Sequence, residues 1–159
     1  MKSTLSFFRL VLCVGLCLAV GAVGSMATTP EIGGWYASLA KPGWTPPDAA
    51  FPIAWTVLYV LMAVALWRLW DRHAPSPARR RAIGLWLLQL ALNALWSPVF
   101  FALHAPAAAL VVVILLWAAI LATILACARI DRIAAGLLLP YLGWVSYATA
   151  LNAAIVGLN

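Results

Sequence analysis

Gln89 and Asn93 are the two residues most out of place in this chain. Both are amides in the middle of a long apolar run, and at 100° per residue they share a helical sector of about 80° with Trp86, Trp96 and Phe100. A second run repeats the pattern with Tyr141, Trp144, Ala148 and Asn152 on one face, and a third aligns Trp55, Tyr59, Met62 and Leu66. Polar side chains in such runs serve either as hydrogen-bonding glue between helices or as the orienting points of a cavity. Aromatic walls with a few convergent amides suit a flat, largely apolar ligand, which they stack against and orient. Ground-state acid–base catalysis is poorly supplied, because no His, Asp or Glu falls inside these runs.

The elements carrying these residues are membrane spans. Hydrophobic residues make up 66% of the chain and charged residues only 9%, against about a quarter in an ordinary soluble domain. Runs long enough to cross about 30 Å of hydrocarbon extend from Leu5 to Met26, Phe51 to Trp70, Ala82 to Leu103, Pro106 to Ala128 and Ile133 to Leu158. The expected fold is therefore all-α, one integral membrane bundle of five transmembrane helices filling residues 1–159. The first run could also be a signal peptide ending near Ala27, but it exceeds the usual h-region and is read as a retained helix. The fourth, with only Trp117 and Thr123 among aliphatic residues, reads as a lipid-facing or packing helix.

The net charge of +6 comes from basic residues set between spans, which points to lipid headgroups and away from nucleic acid. All of the Lys and Arg residues except Lys41 fall on one side of a five-span chain, so the positive-inside rule puts the N-terminus in the cytoplasm and the C-terminus outside. Trp67 and Trp70, beside Arg68 and Arg72, fit an interfacial belt. Cys13, Cys17 and Cys127 read as small apolar residues, and no metal site is expected.

Residues 27–50 join the first two spans on the outer side. Pro42, Pro46, Pro47 and Pro52 restrict the backbone, so the loop is expected to be a stiff lid that folds Trp35, Tyr36 and Trp44 over the bundle mouth. Lys41 there could meet a ligand carboxylate or pair with Glu31 or Asp48, but is read as a solvated loop charge. His104 shares that side and is read as a plain loop histidine rather than a haem ligand. Pro98 and Pro140 are expected to kink a span or end a turn. Ala118, Ala122 and Ala126, and Gly15 with Ala19, permit close helix approach.

The run Trp35-Tyr36-Ala37-Ser38-Leu39-Ala40-Lys41-Pro42-Gly43-Trp44-Thr45-Pro46-Pro47 resembles the first-loop signature WYxxLxKPxWxPP of the TspO/MBR family, the tryptophan-rich sensory proteins, also known as translocator proteins or peripheral-type benzodiazepine receptors. Trp55-Thr56-Val57-Leu58-Tyr59, Gln89-Leu90-Ala91-Leu92-Asn93, Trp96-Ser97-Pro98-Val99-Phe100-Phe101 and Pro140-Tyr141-Leu142-Gly143-Trp144 continue the resemblance in order. It implies a five-helix bundle, usually a homodimer, that binds porphyrin or haem as ligand and requires no cofactor. It also implies pocket positions at Trp35, Tyr36, Trp55, Gln89, Asn93, Trp144, Ala148 and Asn152, to which the faces above add Tyr59, Trp96 and Tyr141. Trp55 and Trp144 match tryptophans tied in some bacterial relatives to light-dependent porphyrin breakdown. The resulting expectation is a porphyrin-binding sensor or regulator, with a photochemical porphyrin-degrading enzyme and a porphyrin or lipid transporter as alternatives. The aromatic-then-arginine pattern of animal sterol binders is missing, since no Lys or Arg follows Tyr147. The charge bias favours a bacterial inner membrane, whereas family analogy allows an outer one.

Overall fold

A computed structural model describes residues 2–159, with the side chain of Lys2 left aside. The described chain is helical and contains no strand. Its helices are α1 (Lys2–Ile32), α2 (Trp35–Ser38), α3 (Ala50–Asp71), α4 (Pro77–Ser97), α5 (Pro106–Ala128), α6 (Arg132–Leu137) and α7 (Leu139–Leu158), with a π-helical turn over Pro98–Ala102 continuing α4. Five segments are long and apolar enough to cross a membrane, the fifth being α6 and α7 together. The protein is a multi-pass integral membrane bundle.

Going round the bundle, α1 packs on α3 and α4, α4 on α5, α5 on α6 and α7, and α6 returns to α3. α3 and α7 touch only sparsely, which leaves a groove between them. The fourth span belongs to the packing: Val113, Leu116, Ile120, Thr123 and Ile124 of α5 are buried.

Several boundaries differ from the sequence expectation, each for a local reason. α1 continues to Ile32 instead of ending at Met26, running through Pro30 as far as the Gly33-Gly34 pair, with Thr28 Oγ1 donating back to Gly24 O at 2.8 Å. The lid is accordingly residues 33–49, shorter than the stiff lid expected over 27–50, and contains the helical turn α2. α4 starts at Pro77, ahead of Ala82, because Ser76 caps it by accepting from Arg79 N and Pro77 fits the first turn. The fifth span breaks at Leu138, just ahead of Pro140, in keeping with a proline that cannot donate to the preceding turn.

The basic end of the bundle is fastened by its two acidic residues. Asp131 caps α6 by accepting from the backbone N–H groups of Ile133 and Ala134. It also receives Arg68 Nε of α3 at 2.9 Å and lies 3.0 Å from His73 Nε2. Burial disfavours its charge, but the hydrogen bonds from His73, Ala134 and Arg68 outweigh that and hold the carboxyl at about 2. Asp71 accepts from Ser6 and Arg9 of α1 at 2.7 and 3.0 Å. Trp67 and Trp70 sit at this end under the guanidinium groups of Arg72 and Arg9.

α1 presents Cys13, Cys17 and Gly21, spaced four residues apart, to the bundle. The thiols are free and buried. Gly21 is required by a close approach: a Cβ there would lie 2.8 Å from Cε2 of Tyr59. That contact links the first span to the residues at the centre.

Candidate ligand site

Tyr59, Asn93 and Tyr141 meet across three spans, with Gln89 one helical turn before Asn93 on α4, and all four are buried. Asn93 is the hub: its Oδ1 accepts from Tyr59 Oη at 2.8 Å and its Nδ2 donates to Tyr141 Oη at 3.0 Å. Three spans are tied through one amide, with each of its ends satisfied. Asn152 acts similarly toward the lid end, where it accepts from Trp96 Nε1 at 3.2 Å and donates to the carbonyl of Pro106 at 2.8 Å. In these two residues the amides are hydrogen-bonding glue in the structure itself.

Gln89 is different. It is 1% exposed, and neither Oε1 nor Nε2 has a hydrogen-bond partner; Nε1 of Trp86, one helical turn earlier and fully buried, has none either. An unpaired buried polar group costs about 1–3 kcal/mol, so polar groups left this way call for an explanation. Trp86 belongs to the same core cluster as Tyr59 and Tyr141, with Trp55 and Trp144 packed against it.

Those aromatic residues form two groups. In the first, Trp55 stacks on Tyr59 with ring centroids 5.5 Å apart, and meets Tyr141 and Trp144 edge-on at 6.1 and 6.5 Å. Phe51 and Tyr147 extend it to either side of Trp144. Trp144 and Tyr147, with Ile53, Ala54, Val57, Leu58, Pro140 and Gly143, line a wide-open apolar groove of about 400 Å³ between α3 and α7. That volume is in the range of small-molecule sites. In the second group Trp35 and Tyr36 of the lid pack on Phe100, and Tyr36 also on Phe101; Trp96 stacks on Phe100 at 5.2 Å. Ala148 is half-buried on α7 between the positions of Trp144 and Asn152.

Trp55, Tyr59, Asn93, Tyr141 and Trp144 are therefore brought together, and Trp96 joins Asn152 beside the lid, but Trp35 and Tyr36 pack on Phe100 and do not cover Trp55 and Trp144. The π turn explains this. Wider winding after Pro98 turns the consecutive residues Phe100 and Phe101 both inward, and together they offer the lid an aromatic seat of its own. Regular 100° spacing could not have placed Phe101 there. Tyr147, Phe51 and Gly21 were also missed, although Tyr147 lies three residues after Trp144 and Phe51 four before Trp55, spacings that a helical reading can recover.

The lid is held at several points. Tyr147 Oη donates to Trp44 O at 2.8 Å while the two rings meet edge-on, and the side chain of Asn159 exchanges two hydrogen bonds with the backbone of Ala40. Burial, with help from Asp48 and Tyr147, pushes the Tyr36 phenol up from its ordinary value. Lys41 is neither solvated nor paired with Glu31 or Asp48: its Nζ donates to the carbonyls of Tyr36 and Leu39 at 2.6 and 3.3 Å and lies over the Tyr36 ring. It caps the last carbonyls of the α2 turn. Glu31 instead faces His104 Nε2 at 2.9 Å, and the His104 ring stacks on Trp35 at 4.3 Å.

The TspO/MBR family profile matches residues 13–158. The chain is 44% identical to the tryptophan-rich protein TspO of Chlorobaculum tepidum over 150 residues, which is 94% of this chain and 95% of that one. It is 41% identical to the tryptophan-rich sensory protein of Cereibacter sphaeroides (90% and 86% covered) and 37% identical to the human translocator protein (82% and 78% covered). A lid closed by a Trp-rich signature, a five-span bundle and matches over most of its length agree: the chain belongs to the TspO/MBR family.

Proposed function

We propose that the protein is a membrane-embedded sensor or regulator that binds a porphyrin-type tetrapyrrole, with the macrocycle in the α3–α7 groove against Trp144 and Trp55. The carrying observation is Gln89, the central amide that the bundle does not use, buried on α4 with both polar atoms unpaired, one helical turn before the Asn93 that joins Tyr59 and Tyr141. The open apolar groove supports the reading, since a flat apolar macrocycle could reach Trp144 in it directly from the bilayer. Sensory protein and translocator protein, the names of similar chains, agree with a membrane sensor or transport role in general. The test is equilibrium titration of the protein in nanodiscs with protoporphyrin IX, followed by its Soret band. Saturation near one porphyrin per chain supports the proposal, and partitioning equal to that of empty nanodiscs refutes it.

One observation favours a second reading, photochemical porphyrin breakdown. Trp144 and Trp55 are in ring contact at the groove, where an indole could give one electron to a photo-excited porphyrin, leaving an indole radical cation and a porphyrin radical anion that dissolved oxygen would oxidise further. Product formed only under illumination and lost in Trp55→Phe would support it. Photobleaching no faster than that of free porphyrin would exclude it.

A further inference from the structure

At the basic end of the bundle, away from the tetrapyrrole groove, α4 and α5 enclose a second cavity of about 330 Å³. Ala78, Arg81 and Leu85 line one side of it, and Ala122, Leu125, Ala126 and Arg129 the other. Arg81, Leu125 and Arg129 are exposed, so the cavity opens on the flank of the bundle. From Ala78 to Leu85 the helix rises about 10 Å, which carries the groove from the charged rim into the hydrocarbon layer. Its floor is apolar, and the small side chains of Ala122 and Ala126 leave the space.

The two arginines have no counter-charge within the protein. The chain contains four acidic residues. Asp71 is taken by Arg9 and Arg72, and Asp131 by Arg68 and His73, while Glu31 and Asp48 lie at the lid end. Among the described residues, neither Arg81 nor Arg129 has a carboxylate within ion-pair distance. A second copy docked on Ala118, Ala122 and Ala126 would bring more arginines to this end and no spare carboxylate. Of the arginines at this end without a carboxylate partner, Arg81 and Arg129 are the two that flank an apolar groove, a pairing that suits an anion carrying an apolar tail.

We propose that the α4–α5 groove is a binding site for one anionic phospholipid of the leaflet at the basic end. Its phosphate lies between Arg81 and Arg129, whose planar forks suit phosphate oxygens. The first half of an acyl chain follows Leu85, Ala122, Leu125 and Ala126. Basic pockets between spans are a general route to anionic headgroup recognition.

The test is native mass spectrometry of the full-length protein in mild detergent, titrated with dioleoylphosphatidylglycerol or dioleoylphosphatidylcholine. The expected result is one phosphatidylglycerol retained in preference to phosphatidylcholine. The double variant Arg81→Gln/Arg129→Gln should weaken that binding about thirty-fold, the effect of two arginines at the usual strength of attraction to anionic lipid. Arg80→Gln/Arg132→Gln, which removes the same charge outside the groove, should leave it nearly unchanged. Leu125→Trp keeps both arginines and fills the apolar part, so it should also displace the lipid. Equal binding of the two lipids, equal loss in both arginine pairs, or displacement by millimolar inorganic phosphate would overturn the proposal. A Leu125→Trp variant that alters only the dimer fraction would also overturn it, by assigning the groove to a second copy.

Discussion

Placing alanine at Gly21 tests how α1 controls the centre of the site. The new Cβ would stand 2.8 Å from Cε2 and 3.1 Å from Cδ2 of Tyr59, well inside ordinary contact. The ring cannot give way cheaply, because it is buried, stacked on Trp55 and hydrogen-bonded to Asn93. Overpacking of this kind costs about 1–3 kcal/mol. Alanine recovers up to about 1 kcal/mol of helix propensity over glycine, so the net destabilisation is about 0–2 kcal/mol. Gly15→Ala, on the same helix with nothing within 4 Å, should show only the favourable part. In a Tyr59→Leu background the clash disappears, so Gly21→Ala should turn neutral or stabilising there. The assay is a double-mutant cycle on detergent-solubilised protein, read by thermal loss of helical circular dichroism, with an expected coupling of about 1–3 kcal/mol. If Gly21→Ala has the same effect with and without Tyr59, the packing argument for the centre of the bundle is wrong.

Other expectations follow from the same geometry. Asn93→Ala strands the hydroxyls of Tyr59 and Tyr141 and should destabilise the bundle by about 1–3 kcal/mol, read by the same melts. Asp131 has a depressed folded-state pKa, so its contribution is complete above the unfolded value near 4 and is lost as pH falls toward about 2. Melting temperature should therefore drop between pH 4 and pH 2, and Asp131→Asn should flatten that drop while lowering stability at neutral pH. Tyr147→Phe removes the hydroxyl that holds Trp44 O and should make the lid tryptophans more accessible to acrylamide quenching, with little change in melting.

Much of the fold was legible in the chain because lipid leaves few choices. Spans must be apolar and about 20 residues long, and their polar residues must turn inward. Gln89, Asn93, Tyr141 and Asn152 obeyed that rule and are all buried. The uses of those amides were not legible. Asn93 and Asn152 satisfy themselves within the bundle and Gln89 does not, a difference that depends on the reach of Tyr59, Tyr141 and Trp96 across helices. The lid was foreseen as a stiff aromatic segment, but its seat was not, because the π turn after Pro98 departs from the periodicity by which faces are assigned. Lys41 was misjudged for a related reason: its partners are backbone carbonyls, which every residue carries and no sequence pattern marks.

The central claim is that Gln89 is kept unpaired for a ligand. Replacing it by leucine should stabilise the empty protein by about 1 kcal/mol, since two unpaired polar atoms leave an apolar setting. The same change should weaken binding of protoporphyrin IX about tenfold, one lost hydrogen bond of ordinary strength. The decisive measurement is that pair of quantities on one variant: melting of the empty protein, and dark titration with protoporphyrin IX by tryptophan fluorescence. A rise in melting temperature together with weaker, still saturable quenching is the predicted result. Unchanged porphyrin affinity in Gln89→Leu would contradict it.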